Sequence, residues 1–456
     1  MLRRRDLVLG VAAGAVFATQ AHADPVSEDE TRAILRDRID LARQSVGMVV
    51  CSFDSSQHKI VAHGAGGGAD SHPLDGDSVF EIGSITKVFT ALLLADMVTR
   101  GDVKLDDPVA NDLPANVRMP TRNGRQITFL DLATNTSGLP RIPDNLRDGG
   151  SNPYAAYAAA HLYAFLSGHA LRFDPGAHYE YSNLGFGLLG HVLSLKANAR
   201  YEDLVVSRIC VPLGLADTRI TLTGSMRERL ARGHLSNLKA GTNWDFAALA
   251  GAGALRSTAN DLLKFMRATC FADAASPLRA AADLLLQTRR ATDRASTKAG
   301  LGWAVTSDHG DEIVWKDGLT GSYASYAGFS TRRRAGAIVL ANAANPVNDL
   351  GLRLTNPAFT LAEYPPQVSV DPALLAQYEG TYRMTPAFAL VIRAEAGRLF
   401  VRGSGQPEYE LFAEADNRFF MRFVDAQGTF LRNTDGVVDR LLWHQGGRYR
   451  YCPRVP

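Results

Sequence analysis

The sequence predicts an α/β chain in two parts: a domain mixing helices with consecutive strands, then a small antiparallel β domain. Three observations predict it. Residues 84–99 carry the strongest helical period, strand-like runs take over from about residue 302, and the composition shifts again beyond Tyr364-Pro365-Pro366. The chain has 456 residues, 46% of them apolar, enough for a large core and more than one domain. Lys plus Arg number 49 and Asp plus Glu 47. Arg3, Arg4, Arg5 and Asp6 fall in the first 23 residues, leaving 46 charges of each sign in the remainder. That balance argues against a nucleic-acid binder working through bulk charge, and it offers no basic face to an anionic membrane.

The elements follow in order. Arg3-Arg4-Arg5, the apolar Leu7–Phe17 stretch and Ala21-His22-Ala23 read as a signal peptide over residues 1–23. Its apolar run is too short to span a bilayer, and Arg4-Arg5-Asp6-Leu7-Val8 has the look of a twin-arginine export signal. A mature periplasmic protein from about Asp24 is expected. Residues 30–46 read as a helix and Val46–Phe53 as a strand, with a Gly-rich turn at 64–68. Ile85, Val88, Phe89, Leu92 and Leu93 make one apolar stripe at helical spacing, ended by Gly101. Residues 120–180 are rich in Pro, Gly, Asn and Asp, as site-bearing loops are, with a helix near Ala155–Leu166. Leu184–Leu195 is a further helix. Gly302–Val305, Glu312–Lys316, Ser325–Phe329 and Ala337–Ala341 read as strands, the last two joined by a solvated Arg332-Arg333-Arg334 tip. Beyond the linker, seven short alternating runs predict a small antiparallel barrel or sandwich of about 90 residues: 380–383, 389–393, 399–402, 419–423, 429–432, 438–443 and 449–451. Cys51, Cys210, Cys270 and Cys452 match no metal pattern; in an oxidising compartment they could pair, and Cys51, in a strand-like run, reads as a buried free thiol.

Chemistry concentrates at three places. Ser84-Ile85-Thr86-Lys87 opens the strongest helix. A serine hydroxyl needs a base within reach to act as a nucleophile. A lysine three residues on lies on the same helical side, and burial near another cation frees it to lose its proton. S-x-x-K also occurs at Ser56–Lys59 and Ser236–Lys239, both in polar segments, so context selects Ser84. Tyr181-Ser182-Asn183 supplies a phenol able to shuttle a proton and an amide with both donor and acceptor. Lys316-Asp317-Gly318 sits on a central strand, where a glycine lets a ligand backbone lie close to the strand edge.

In this order the three elements resemble the S-x-x-K, Y-x-N and K-T-G boxes of the serine β-lactamase and penicillin-binding-protein superfamily. Spacings of ~95 and ~135 residues resemble its class C branch, which includes D,D-carboxypeptidases and endopeptidases, D-aminopeptidases and family VIII esterases. Thr136–Pro140, Gly253–Leu262 and Gly300–Trp303 add to the likeness. The resemblance covers roughly residues 30–345. It implies a β-lactamase/transpeptidase-like fold over residues 24–363, an antiparallel sheet flanked by helices with a helical subdomain, while residues 367–456 resemble a lipocalin-like domain. Residue by residue it implies Ser84 as nucleophile, Lys87 and Tyr181 sharing the base role, Asn183, Lys316 and Gly318 binding substrate, and the backbone N–H groups of Ser84 and Leu319 as oxyanion donors. No metal or cofactor is implied. The partner is a small molecule or peptide: a muropeptide, a β-lactam or an ester. A family VIII-like carboxylesterase and a penicillin-binding protein that stays acylated are the alternatives. The chain departs from the pattern twice. Asp317 stands where the family usually has a hydroxyl that holds the substrate carboxylate. Arg141 stands where class C enzymes carry a substrate-binding glutamine, and it restores a cationic contact.

Overall fold

An eight-stranded antiparallel sheet is the floor of the larger part of the protein. The computed structural model describes residues 25–67, 72–146, 150–271, 276–386, 388–404, 408–422, 425–445 and 447–455. The expected signal peptide lies outside them. Strands β1 (Gly47–Asp54) and β2 (His58–Gly64) form a hairpin. β3 (Phe80–Glu81) pairs with β4 (Arg256–Ser257) apart from the main sheet. Strands β5 (Arg290–Ala291), β6 (Thr297–Ala299), β7 (Ala304–Asp308), β8 (Asp311–Leu319), β9 (Ala324–Ser330) and β10 (Ala335–Ala341) complete it, in the order β2-β1-β10-β9-β8-β7-β6-β5. β9 is buried along its whole length, because both faces are covered. Helices Glu28–Arg36 and Asn348–Thr355 pack on the face that carries Met48, Val50, Tyr326 and Val339. The helices Thr86–Thr99, Ala259–Cys270 and Arg279–Gln287 share a second core with Val49, Phe53, Val314 and Phe329. The first helix is shorter than expected and closes in a π-helical turn at Asp37–Leu41.

The Thr86–Thr99 helix departs from the stripe its sequence predicts. Thr86 through Met97 are buried on every side. Its polar residues are tolerated because each finds a partner inside. Thr90 Oγ1 bonds Tyr201 at 2.7 Å and the Gly251 carbonyl at 2.8 Å, and Asp96 pairs with Arg100 at 2.9 Å. The helix is therefore the central pillar of the unit, and its N-terminal end carries Ser84 and Lys87.

After the Tyr364-Pro365-Pro366 linker the chain closes an antiparallel barrel. Its strands are β11 (Gly380–Thr385), β12 (Phe388–Glu395), β13 (Arg398–Gly403), β14 (Glu408–Ala415), β15 (Arg418–Phe420), β16 (Ala426–Arg432), β17 (Val438–Gln445) and β18 (Arg448–Val455). Thr381 opposite Val455 closes the ring. Tyr382, Leu390, Val401, Leu411, Phe430 and Leu441 point inward, as the alternation predicts. One strand more is present than the sequence reading gives. β14, Glu408-Tyr-Glu-Leu-Phe-Ala-Glu-Ala, reads as polar, but its outward Glu408 and Glu410 pair with Arg393 at 2.6 Å and Arg398 at 3.4 Å. All four cysteines are free. Cys51 is buried as expected, and burial pushes its thiol up to about 12. Among the described residues no helix is long and apolar enough to cross a membrane.

Candidate active site

Ser84 sits in a 3-10 turn, Gly83–Ile85, wedged between β3 and the pillar helix. Two glycines let that turn touch the end of β8. Gly83 has φ +48°, and a Cβ there would meet the Leu319 nitrogen at 2.8 Å. A Cβ on Gly318 would meet the Ile82 carbonyl at 2.1 Å. Any side chain at either place would push the Leu319 N–H away from the Ser84 turn. Ser84 does not cap the helix; that position is Ile85.

Lys87, one turn on, has no exposed surface. Its Nζ donates to Ser84 Oγ at 3.0 Å, Asn183 Oδ1 at 2.8 Å and the Ala252 carbonyl at 2.7 Å. An ammonium has three donors, and all are used. The Tyr181 hydroxyl donates to Ser84 Oγ at 2.7 Å. Tyr181 and Asn183 are delivered by the N-terminus of the Asn183–Ala197 helix. Ser182 caps that helix by accepting from Gly185 N at 2.8 Å, and its hydroxyl donates to the Pro140 carbonyl at 2.6 Å. The Arg141 carbonyl accepts from Asn183 N at 2.9 Å. The Thr136–Pro140 segment thus splints the Tyr-x-Asn box.

Three cations surround the Tyr181 ring: Lys87 at 4.9 Å, Lys316 at 5.1 Å and Arg141 at 5.1 Å from its centroid. Burial pushes the Tyr181 phenol up, but Lys316 and Lys87 outweigh it and bring it from 10.0 down to about 8. Burial, helped by repulsion from Lys316 and Arg141, brings Lys87 from 10.5 down to about 8, although Tyr181 pulls the other way. The two titrate as a pair. Burial pulls Lys316 down, yet Asp317 and Tyr181 outweigh it and hold it above the ordinary lysine value. Lys316 Nζ bonds Asp317 Oδ1 at 2.7 Å. Asp317 does not point at an open cleft as a bare anion, because Asn348 Nδ2 donates to its other oxygen at 3.1 Å.

The structure brings Lys87 and Tyr181 to the Ser84 hydroxyl, Asn183 to Lys87, and Lys316 and Arg141 to the Tyr181 ring, with Gly318 and Leu319 against the Ser84 turn. The other S-x-x-K pairs go elsewhere. Ser56 bonds Asp54 in a hairpin turn, and Ser236 and Lys239 face the barrel. Sequence reasoning misses Tyr154. Its hydroxyl accepts from Asn183 Nδ2 at 3.1 Å, which fixes the amide so that Oδ1 faces Lys87. Its ring stacks on Phe246 at 4.9 Å and meets Trp244 edge-on at 5.6 Å. It also misses the buried Glu81–Arg256 pair, 3.2 Å apart, which anchors the Trp244 backbone beside that wall. Glu81 stands out only as one charge inside Val79-Phe80-Glu81-Ile82. Among the described residues no group of His, Cys, Asp and Glu is placed to hold a metal ion.

Comparison with known proteins shows what the chain is similar to. The Beta-lactamase family model matches residues 31–361, and a model described as a domain of unknown function (DUF3471) matches residues 364–451. The chain is 27% identical over 381 residues to the D-alanyl-D-alanine-carboxypeptidase/endopeptidase AmpH of Escherichia coli K12, covering 77% of this chain and 97% of that one. It is 24% identical over 404 residues to penicillin-binding protein 4* of Bacillus subtilis, covering 83% and 88%. Among solved structures it resembles a beta-lactamase/D-alanine carboxypeptidase from Yersinia pestis, at 25% identity and a TM-score of 0.60, over 70% of this chain and 94% of that one. The octameric penicillin-binding protein homologue from Pyrococcus abyssi shares the fold over 93% of this chain and 100% of its own, at 20% identity and a TM-score of 0.64.

Proposed function

Because the chain belongs to the beta-lactamase family, we propose that it is an exported serine hydrolase that cleaves D-alanine-containing peptides through an acyl-enzyme, with at most modest β-lactamase turnover. The observation that carries this is Ser84 Oγ held at 3.0 Å from Lys87 Nζ and 2.7 Å from the Tyr181 hydroxyl. In the proposed reaction Ser84 Oγ attacks the substrate carbonyl and its proton passes to the Lys87–Tyr181 pair. The backbone N–H groups of Ser84 and Leu319 take the developing oxyanion. The bond to the leaving amine breaks, the pair returns the proton to that amine, and Ser84 is left acylated. Water, activated by Tyr181, then frees the acid. One oxyanion donor is typically worth about 3–4 kcal/mol and a positioned base about 10²–10⁴ in rate. Asn183 holds Lys87 and the amide of the acyl donor. Lys316 keeps Tyr181 acidic, and Arg141, beside Asn183, takes an acidic group on the acyl side. We propose residues 1–23 as a signal peptide that directs the protein to the periplasm, 24–363 as the hydrolase domain and 367–456 as the barrel domain. Carboxylester hydrolysis is the second reading, favoured by Asp317 already pairing with Lys316.

The test is turnover of nitrocefin, a D-Ala-D-Ala peptide and p-nitrophenyl butyrate by the wild type and Ser84→Ala. We expect peptide turnover that Ser84→Ala abolishes, with a mass increment on Ser84 in a trapped acyl-enzyme. Wild-type turnover of all three by Ser84→Ala would refute the assignment, and turnover of the ester alone would leave only the second reading.

A further inference from the structure

At the end of β8 the protein carries a bound carboxylate of its own. Asp317 Oδ1 accepts from Lys316 Nζ at 2.7 Å, and Oδ2 accepts from the Asn348 amide at 3.1 Å. An ammonium on one oxygen and an amide donor on the other is how a protein holds a substrate carboxylate. Here one N–H of each donor group is taken by a side chain of the same chain. Asp317 stays ionised in that place: burial opposes the charge, but Lys316 outweighs it and holds the carboxyl below its ordinary value. A second carboxylate arriving at Lys316 would find the attraction of one cation cancelled by an anion bonded to it.

Arg141 is arranged differently. Its side chain is exposed, its guanidinium lies over the Tyr181 ring, and no carboxylate pairs with it among the described residues. Its own carbonyl accepts from Asn183 N, which ties its backbone to the residue proposed to hold the acyl donor. Of the two cations that lie 5.1 Å from the Tyr181 ring centroid, Arg141 is therefore open and Lys316 is neutralised by Asp317.

We propose that Asp317 stands in for the substrate's terminal carboxylate, so that the enzyme selects acyl donors whose leaving side is uncharged: an internal peptide bond or an ester, in preference to a free C-terminal D-alanine. This rests on the serine hydrolase reading above. It makes Asp317 a specificity-determining residue that acts through Lys316.

The experiment compares two substrates that differ in one group, diacetyl-L-Lys-D-Ala-D-Ala as the free acid and as its C-terminal amide. kcat/KM is measured for the wild type, Asp317→Asn and Asp317→Thr. The wild type should favour the amide by about tenfold, since a misplaced like charge is a strong discriminator. Both variants should move the acid-to-amide ratio at least tenfold toward the acid, chiefly through KM for the acid. A wild-type preference for the acid overturns the proposal, as does a ratio that both folded variants leave within twofold. If neither variant folds, the wild-type ratio decides. Failure of the underlying reading has a separate signature: Ser84→Ala would hydrolyse both peptides as the wild type does, or the wild type would hydrolyse neither.

Discussion

The same four-residue spacing has opposite consequences at two of the three places where it occurs in this molecule. Ser84 and Lys87 lie where the pillar helix, the Asn183–Ala197 helix and β8 converge, and Lys87 is 0% exposed. Ser236 and Lys239 lie on a loop against the barrel. There Ser236 Oγ donates to the Glu408 carbonyl at 3.0 Å, and Lys239, 54% exposed, reaches Glu395 at 2.5 Å. Both pairs are polar, charged and hydrogen-bonded. What separates them is water. Burial lowers Lys87 to about 8, so its proton is available near neutral pH, whereas the lysine beside the barrel is solvated and its charge is spent on a surface ion pair.

The comparison breaks most sharply at Lys87. Lys87→Ala removes a base and a buried cation with three bonds, and kcat/KM should fall about 10³–10⁴-fold while acyl-enzyme formation slows in step. Rapid-quench acylation measures it. A loss of less than tenfold would mean that Tyr181 alone activates Ser84.

Lys316 sharpens the electrostatic half of the argument. Tyr181 and Lys87 both have lowered values, so the basic forms fill as pH rises through about 8, and kcat/KM should climb over that window. Lys316 lowers both, so Lys316→Ala should move the rising limb to higher pH and cost about 10–100-fold at pH 7. An unmoved limb in the pH profile would assign the titration to some other group.

A smaller effect is expected at Tyr154. Tyr154→Phe keeps the stack on Phe246 but leaves Asn183 Nδ2 without its acceptor. The amide is part-buried and keeps Oδ1 on Lys87, so kcat should fall about tenfold through a looser Asn183 while stability falls by about 1 kcal/mol at most. Tyr154→Ala should lose stability as well, which calorimetry separates from the kinetic loss.

These residues were not equally legible in the sequence. Ser84, Lys87 and Tyr181 lie within two residues of the first residue of a long helix, and Lys316 lies inside β8, so local pattern placed them. Tyr154 lies in an irregular stretch between two helices, and nothing in its neighbours' spacing says that its hydroxyl meets Asn183, 29 residues on. The pillar helix was legible as a helix, but its burial on every side was not. Period marks the face that must be apolar and is silent on polar residues that find partners elsewhere in the chain. The same blindness hid β14, whose outward glutamates look like a solvated turn until Arg393 and Arg398 are seen across the ladder. Among the sheet strands, β1, β9 and β10 were readable to within two residues of their ends, whereas β2, β5 and β6 were not read at all.

The smallest predicted effect lies on the other side of the comparison. Lys239→Ala removes an ion pair whose partner Glu395 is also held by Arg393 at 2.7 Å. Lys239 first and Arg393 second hold Glu395 below its ordinary value, and Arg393 stays bonded to the carboxylate when Lys239 is lost. Water solvates both groups, and exposed pairs contribute little. Turnover should stay within about twofold of wild type, and the melting temperature should fall by about 2 °C or less, the change shrinking further in high salt. A large kinetic loss would show that the 234–241 loop transmits the barrel's position to the cleft. The path exists in outline: His234 N donates to the Ser322 carbonyl at 3.1 Å, and Ser322 Oγ donates to the Thr242 carbonyl at 2.9 Å, just beyond the turn that presents the Leu319 N–H. That turn also bonds to itself through Thr320 N and the Tyr323 carbonyl at 3.0 Å, which is why it should hold its shape without Lys239.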